Sequence, residues 1–349
     1  MKRGGVMTLK EFIQGMPKAE NHVHLDGSTS AESALVLSKK NGVPLPFDTV
    51  EEAEALYRFD DLGGFLRIIN AVCQVIQTAD DFRFLTVELA KDAARQNIRY
   101  REVMFSCAYH EARGIPFSAM MEGFIAGKRE ALERYGVLLV GIPELDRTVA
   151  PEENLAFVER ILPFRDDAAL VAVGLDNAEA GYPAHWHAAA FARAGELGFG
   201  RTAHAGEAYG PVSVTDTLDS LHTTRIDHGI RSIEDPALVE RLAREQILLT
   251  ICPLSNVGLK VYPDMQSHSF KKLFDAGVPV SINSDDPPFF SGDLNDNYLV
   301  IAETFALTMQ QLHEIAANAF NYSYAPAGEK QRWIAELDAY FDQNAPLVR

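Results

Sequence analysis

Eight short apolar runs, spread along the whole chain and separated by helical patterns, restrict its architecture more than any other feature. They are "AENHVH" (19–24), "IRYREVMF" (98–105), "VLLVGI" (137–142), "LVAVGL" (170–175), "RTAHAG" (201–206), "RIDHG" (225–229), "ILLTIC" (247–252) and "VPVSINS" (278–284). Runs of this length, rich in Val, Ile and Leu, read as strands buried on both faces, as in a parallel sheet. Between them lie segments of helical period, including 80–96, 118–136, 183–198 and 235–246, the last opening on Asp235 followed by Pro236, an N-cap pattern. Strict alternation over 349 residues predicts a (β/α)₈ TIM barrel. Extra helices are expected after strand one, from about Ser30 to Leu66, and at the C-terminus, from Leu299 to Phe341. A doubly wound sheet is the competitor, but no GxGxxG or GxxxxGK[ST] turn follows the first strand. No linker or low-complexity segment divides the chain, so residues 1–349 are expected to form a single domain.

A TIM barrel carries its chemistry at the C-terminal ends of its strands, and the residues at those ends are unusual. In "AENHVHLDGS", His22 and His24 are two apart, so on a strand both point to the same side. On a helix they would diverge by about 200°, at roughly 100° per residue. His204 ends strand five, His228 ends strand six, and Asp285 with Asp286 follows strand eight. Three imidazoles and a carboxylate suit a borderline metal, zinc first, and the additional acids on the rim suit catalysis better than a closed structural site.

Each of these residues also has a plainer reading. A lone barrel histidine is more often a hydrogen-bonded structural residue than a ligand. Asp26-Gly27 reads equally as a turn, Asp285-Asp286 before two prolines as a helix cap, and Glu207 as the start of a solvated loop. His185 and His187 repeat the HxH spacing at the start of a helix, where the rings diverge, and are assigned to surface or packing. His110, His222, His268 and His313 are read as lying in loops or helices without acidic company and are given no role.

A net charge of −17 argues against nucleic acid and anionic membranes as partners, leaving a small molecule. Three scattered cysteines, with no CxxC pair, indicate neither a disulfide framework nor a thiolate zinc site. With no apolar run of roughly 18 residues and no signal-peptide pattern, a cytoplasmic protein is expected.

"PKAENHVHLDGS", "TAHAGEAYGP", "RIDHGI", "CPLSN" and "SINSDDPPFF", in this order, resemble the adenosine/adenine deaminase family of the amidohydrolase superfamily, from Pro17 to about Phe341. The resemblance implies a zinc (β/α)₈ hydrolase, with one ion per chain held by His22, His24, His204 and Asp285. It implies replacement of a purine 6-amino group by oxygen, with release of ammonia. Glu207 would donate a proton to N1, which requires a raised pKa. His228 would hold the attacking water and help deprotonate it, while Asp285 would share that water with the zinc. Substrate contacts would come from His24, Asp26, Glu179 and Asp286, the last accepting from the N7 side.

The substrate itself is read two ways. Asp26, the residue after HxHL, resembles the adenosine-specific branch, whose Asp reaches the ribose 5′-hydroxyl; adenine-specific relatives carry Glu there. That makes adenosine the first expectation. "RIDHG", "CPLSN" and "NSDDPPFF" look more like the adenine and 6-aminodeoxyfutalosine branches, and Glu179 in "VGLDNAEAGYP" stands near where a glycine amide would meet N3. Adenine is the alternative, followed by N6-substituted or modified nucleosides. Asn21 also departs from the usual "ELHVH". Strand four ends "VGLDN" without a lysine, which favours a single metal, and the HxE with PCxxC pattern of base-editing deaminases is absent. With every motif residue present, a non-catalytic relative is disfavoured.

Overall fold

The structure is a computed structural model that describes residues 6–57 and 62–349. Its strands are β1 (Lys18–His24), β2 (Ile98–Phe105), β3 (Leu138–Asp146), β4 (Ala172–Asp176), β5 (Gly200–Arg201), β6 (His204–Ala205), β7 (Arg225–His228), β8 (Leu248–Ile251) and β9 (Val280–Ile282). All paired neighbours are parallel, in the orders β1-β2-β3-β4-β5 and β6-β7-β8-β9. β5 and β6 are two halves of the fifth run. The first half pairs with β4 and the second with β7, and the hinge is bridged by Thr202 N–H to the Val173 carbonyl (3.1 Å) and Asp227 N–H to the Ala203 carbonyl (2.9 Å).

The two ends of this series also meet. His24 N–H donates to the Asp285 carbonyl at 3.1 Å, and Asp285 N–H to the His22 carbonyl at 3.2 Å. The first run and the end of the eighth are therefore neighbours, in keeping with the expected TIM barrel. The pairing also brings together residues the sequence separates most widely, since both histidines and Asp285 share one backbone contact.

The helices form where local chemistry starts and stops them. Ala79–Arg95 opens on a capping box between Thr78 and Asp81, and Phe117–Tyr135 stops at Gly136, whose φ of 67° is left-handed. Pro236–Glu245 begins as read, with Asp235 accepting from the Ala237 and Leu238 amides. The 183–198 segment splits into a 3₁₀ turn, Ala184–His187, and a helix, Ala188–Glu196. Among the described residues no helix is long and apolar enough to cross a membrane.

The connection after β1 contains helices Ala31–Asn41, Val50–Leu56 and Leu62–Cys73. Phe65 stacks on Phe290 (5.2 Å) and meets Phe289 edge-on (5.9 Å), and Tyr57 also packs on Phe289 (4.6 Å). Each buried aromatic of this kind contributes on the order of 2 kcal/mol. The contacts tie the connection to the loop after β9, beside the mouth of the barrel. At the C-terminus the helices are Leu294–Thr304, Met309–Asn321 and Ala327–Asn344. The unusual Asn21 belongs to this packing, because its Nδ2 donates to the Ala319 carbonyl at 3.0 Å.

Candidate active site

Strand ends supply the site because each polar side chain stands where the backbone leaves the sheet. His22 and His24 end β1 with Nε2 atoms 3.4 and 3.3 Å from Asp285 Oδ1. The His204 ring lies 4.7 Å from that of His22 and 5.3 Å from that of His24, centre to centre. Ligand atoms of His22, His24 and Asp285 lie within 4.8 Å of one another, as do those of His22, His204 and His228. His228 and Asp285 hold φ values of 63° and 65°, left-handed for non-glycine residues. Such strain, of order 1–3 kcal/mol each, persists because the strand pairing on either side fixes the chain.

The far sides of the rings are anchored. His22 Nδ1 meets Thr250 Oγ1 at 3.0 Å, and Thr250 donates in turn to Asp227 at 2.8 Å. His204 Nδ1 is 3.2 Å from the Leu175 carbonyl. Glu144, at the end of β3, spans two rings, with one oxygen 3.2 Å from His24 Nδ1 and the other 3.2 Å from His204 Nδ1. Every Nε2 is thereby turned inward, and that of His22 is buried without any hydrogen-bond partner. An orphaned, inward-facing imidazole nitrogen beside a carboxylate fits a divalent cation. Burial opposes ionisation of Asp285, but the close imidazoles of His22 and His24 outweigh it and hold Asp285 well below the usual carboxylate range. Cys252 also lies within reach of His228 and Asp285, and in the protein alone burial pushes its thiol well above the usual range.

The opposite wall is made of acids in the reverse condition. Burial, then the charge on Asp285, pushes both Glu207 and Asp286 up to about 8. Asp176 at the end of β4 is also raised to about 8, by burial and then by Glu144. These groups line a cavity of about 390 Å³ whose apolar walls include Phe65, Ile69, Leu259 and Val261. A second hollow, of about 660 Å³, lies between Ser30, Glu88, Arg95 and Asp293 and contains none of these groups. The Asp26-Gly27 turn has a packing reason, since a Cβ on Gly27 would stand 1.5 Å from Asp286 Oδ1. Gly206 is required too: its φ is 66°, and a Cβ would meet Val214 at 2.5 Å.

A family model described as adenosine deaminase matches residues 17–340. The chain belongs to the adenosine deaminase family. It is 42% identical over 333 residues to an adenine deaminase of Cupriavidus necator, covering 95% of this chain and 94% of that one. Among solved structures it resembles an adenine deaminase from Arthrobacter aurescens, with TM-score 0.89, 33% identity and coverage of 94% of this chain and 99% of that one. It also resembles an amidohydrolase from Burkhoderia ambifaria with bound Zn, with TM-score 0.87, 25% identity and coverage of 99% and 97%. As a member of the adenosine deaminase family this chain is a hydrolytic aminohydrolase of the purine deaminase class, and its fold is that family's TIM barrel.

Two histidines read as lacking acidic company have it. His110 Nε2 lies 3.0 Å from Asp26 Oδ1, though neither atom completes an aligned hydrogen bond, and His313 Nε2 lies 2.7 Å from Asp338. In each case the acid comes from a distant segment, which spacing cannot show. His185 is exposed beside Asp216, whereas His187 is buried between Asn154 and the Arg147 carbonyl. Glu179 lines the cavity, but its carboxylate accepts from the backbone amides of Gly206 (2.7 Å), Glu207 (3.0 Å), Ala208 (2.9 Å) and Tyr209 (3.1 Å).

Glu144 was not recognised in the sequence. The available signal was an acid at a strand end inside an otherwise apolar run, "VLLVGIPELD". Because it steadies two proposed ligand rings, Glu144→Gln is expected to weaken metal binding by about 10- to 100-fold with the fold retained. Competition against a fluorescent chelator measures this directly.

Proposed function

We propose that this member of the family hydrolyses the 6-amino group of adenine, with one zinc ion held by His22, His24, His204 and Asp285. The observation that carries the reaction is Glu207, a half-buried carboxyl raised to about 8, facing the same cavity as His228 and the ionised Asp285. One acid held protonated opposite one held ionised is the division of labour that addition of water to a purine requires.

When bound, a divalent cation supplies Lewis acidity that makes water a usable nucleophile near neutral pH. The chain's own residues do the rest. Asp285 accepts the proton from the water as oxygen adds to C6. Glu207 delivers its proton to N1, so negative charge does not accumulate on the ring. Asp286, also held as the acid, donates to N7, the reverse of the direction expected from the sequence. The apolar wall of Phe65, Ile69, Leu259 and Val261 excludes bulk water and keeps these pKa values high. Asp285 then passes the proton it took to the amino nitrogen, the C6–N bond breaks to release ammonia, and the C6 hydroxyl proton returns to Glu207 as the carbonyl forms.

Adenine is supported over adenosine by the 38–42% identical relatives, which are adenine deaminases matched over 95% of this chain or more. Asp26 Oδ1 lies 3.0 Å from His110 Nε2 without completing a hydrogen bond, so it favours neither substrate by its partners. The nucleoside reading keeps one observation in its favour, because Asp26 lines the cavity and is an Asp. Ammonia release from adenine, adenosine, 2′-deoxyadenosine and 6-aminodeoxyfutalosine, measured side by side, separates the two. Adenine is expected to lead in kcat/KM by about 10²-fold or more. A preference for adenosine would reassign Asp26 to the sugar.

A further inference from the structure

His268 was given no role on sequence, yet it ends a buried chain of hydrogen bonds that runs into the active site. The Phe270 backbone N–H, which can only donate, lies 3.0 Å from His268 Nδ1. His268 Nδ1 is therefore the acceptor, and in the neutral ring Nε2 carries the hydrogen. Nε2 faces Asn256 Oδ1 at 3.2 Å, so the Asn256 amide is oriented with its oxygen towards His268. Its NH₂ then donates to His228 Nδ1 at 3.2 Å. By the same logic His228 carries its hydrogen on Nε2, the atom 3.6 Å from Glu207 and 3.9 Å from Asp285. Each link has one consistent polarity, set at its origin by a main-chain amide. All three side chains are at most 2% exposed, so water does not compete for these bonds.

We infer that His268 and Asn256 are positioning residues that fix His228 as its Nε2–H tautomer, so that His228 donates a hydrogen bond to the attacking oxygen and does not take that oxygen's proton. The inference rests on the aminopurine hydrolysis proposed above and replaces the expectation that His228 helps to deprotonate the water. The water proton goes to Asp285 while the oxygen bonds to C6, Glu207 protonates N1, and His228 keeps its own hydrogen throughout. Burial of His268 holds its pKa down at about 3, in keeping with a neutral ring at the origin of the chain.

The test is the ring ¹⁵N spectrum of histidine-labelled, zinc-loaded protein without substrate, with His228 assigned by its loss in His228→Ala. The expected pattern is a protonated Nε2 and a bare Nδ1; a protonated Nδ1 would overturn the inference. Asn256→Asp presents only acceptors to both histidines. It should move the hydrogen of His228 to Nδ1 and lower kcat on the order of 10²-fold, with KM little changed. Should that variant not fold, His268→Gln keeps a donor and is expected to retain most of the wild-type kcat, whereas His268→Phe is expected to lose it. Equal kcat and an unchanged His228 spectrum in His268→Phe would refute the relay. The spectrum needs no turnover, so it decides the tautomer even if aminopurines prove not to be substrates.

Discussion

Replacing Glu207 with glutamine is expected to lower kcat about 10²- to 10⁴-fold while metal content stays at the wild-type level. Glutamine is nearly isosteric and can still offer a hydrogen bond to a ring nitrogen, but it cannot transfer a proton. The proposed metal ligands are separate side chains, and the loop bearing residue 207 is held by its main-chain amides, which the substitution leaves alone. The pH dependence carries the same signature. Burial, with Asp285 second, raises Glu207 to about 8, so its acid form is present below that value and is lost as pH rises through it. Wild-type kcat/KM should therefore fall steeply on the alkaline side near pH 8, where both Glu207 and Asp286 lose their protons, and in Glu207→Gln that limb should become shallower, with only the Asp286 step left. A pH–rate profile of both proteins, beside metal analysis, checks the prediction; an unchanged kcat in the variant would remove Glu207 from the mechanism.

Glu179→Ala is expected to damage both stability and turnover. One of its oxygens serves the Gly206 amide and the other serves Glu207, Ala208 and Tyr209. Hydrogen bonds to a charged acceptor contribute about 1.5–3 kcal/mol each and do not add fully, so losing the set should cost about 3 kcal/mol or more. Freed of its anchor, the loop no longer places Glu207, and a displacement near 1 Å is enough for a 10²-fold loss in kcat. Glu179→Gln should fall between, since its single carbonyl oxygen can retain the three amides on one side and must release Gly206. Denaturant unfolding and steady-state kinetics of the two variants give the comparison. Wild-type kcat in Glu179→Ala would mean that this carboxylate does not position the acid.

Much of this arrangement was legible from residue order alone. The parity of His22 and His24 on a strand predicted a shared side, and the strand-end positions of His204, His228 and Asp285 predicted convergence. The structure brings these side chains to one mouth. The eight runs coincide with strands because each is buried on both faces, which makes the apolar signal continuous. What stayed hidden belongs to long-range pairing. Glu144 meets His24 and His204 only because β3 lies in the same barrel wall, and Asp26 meets His110 only because the β1 and β2 ends are adjacent. The sequence shows that Glu179 and Glu207 are both acids. That one anchors the loop of the other depends on the turn at Gly206, which no spacing rule describes.

His22, His24, His204 and Asp285 are proposed to hold a divalent ion on which hydrolysis depends. The most direct test is elemental analysis of the purified protein, combined with ammonia release from adenine before chelation, after it, and after zinc is restored. One ion per chain is predicted, with activity abolished by its removal and recovered on its return. Full turnover by protein shown to be metal-free would contradict the claim.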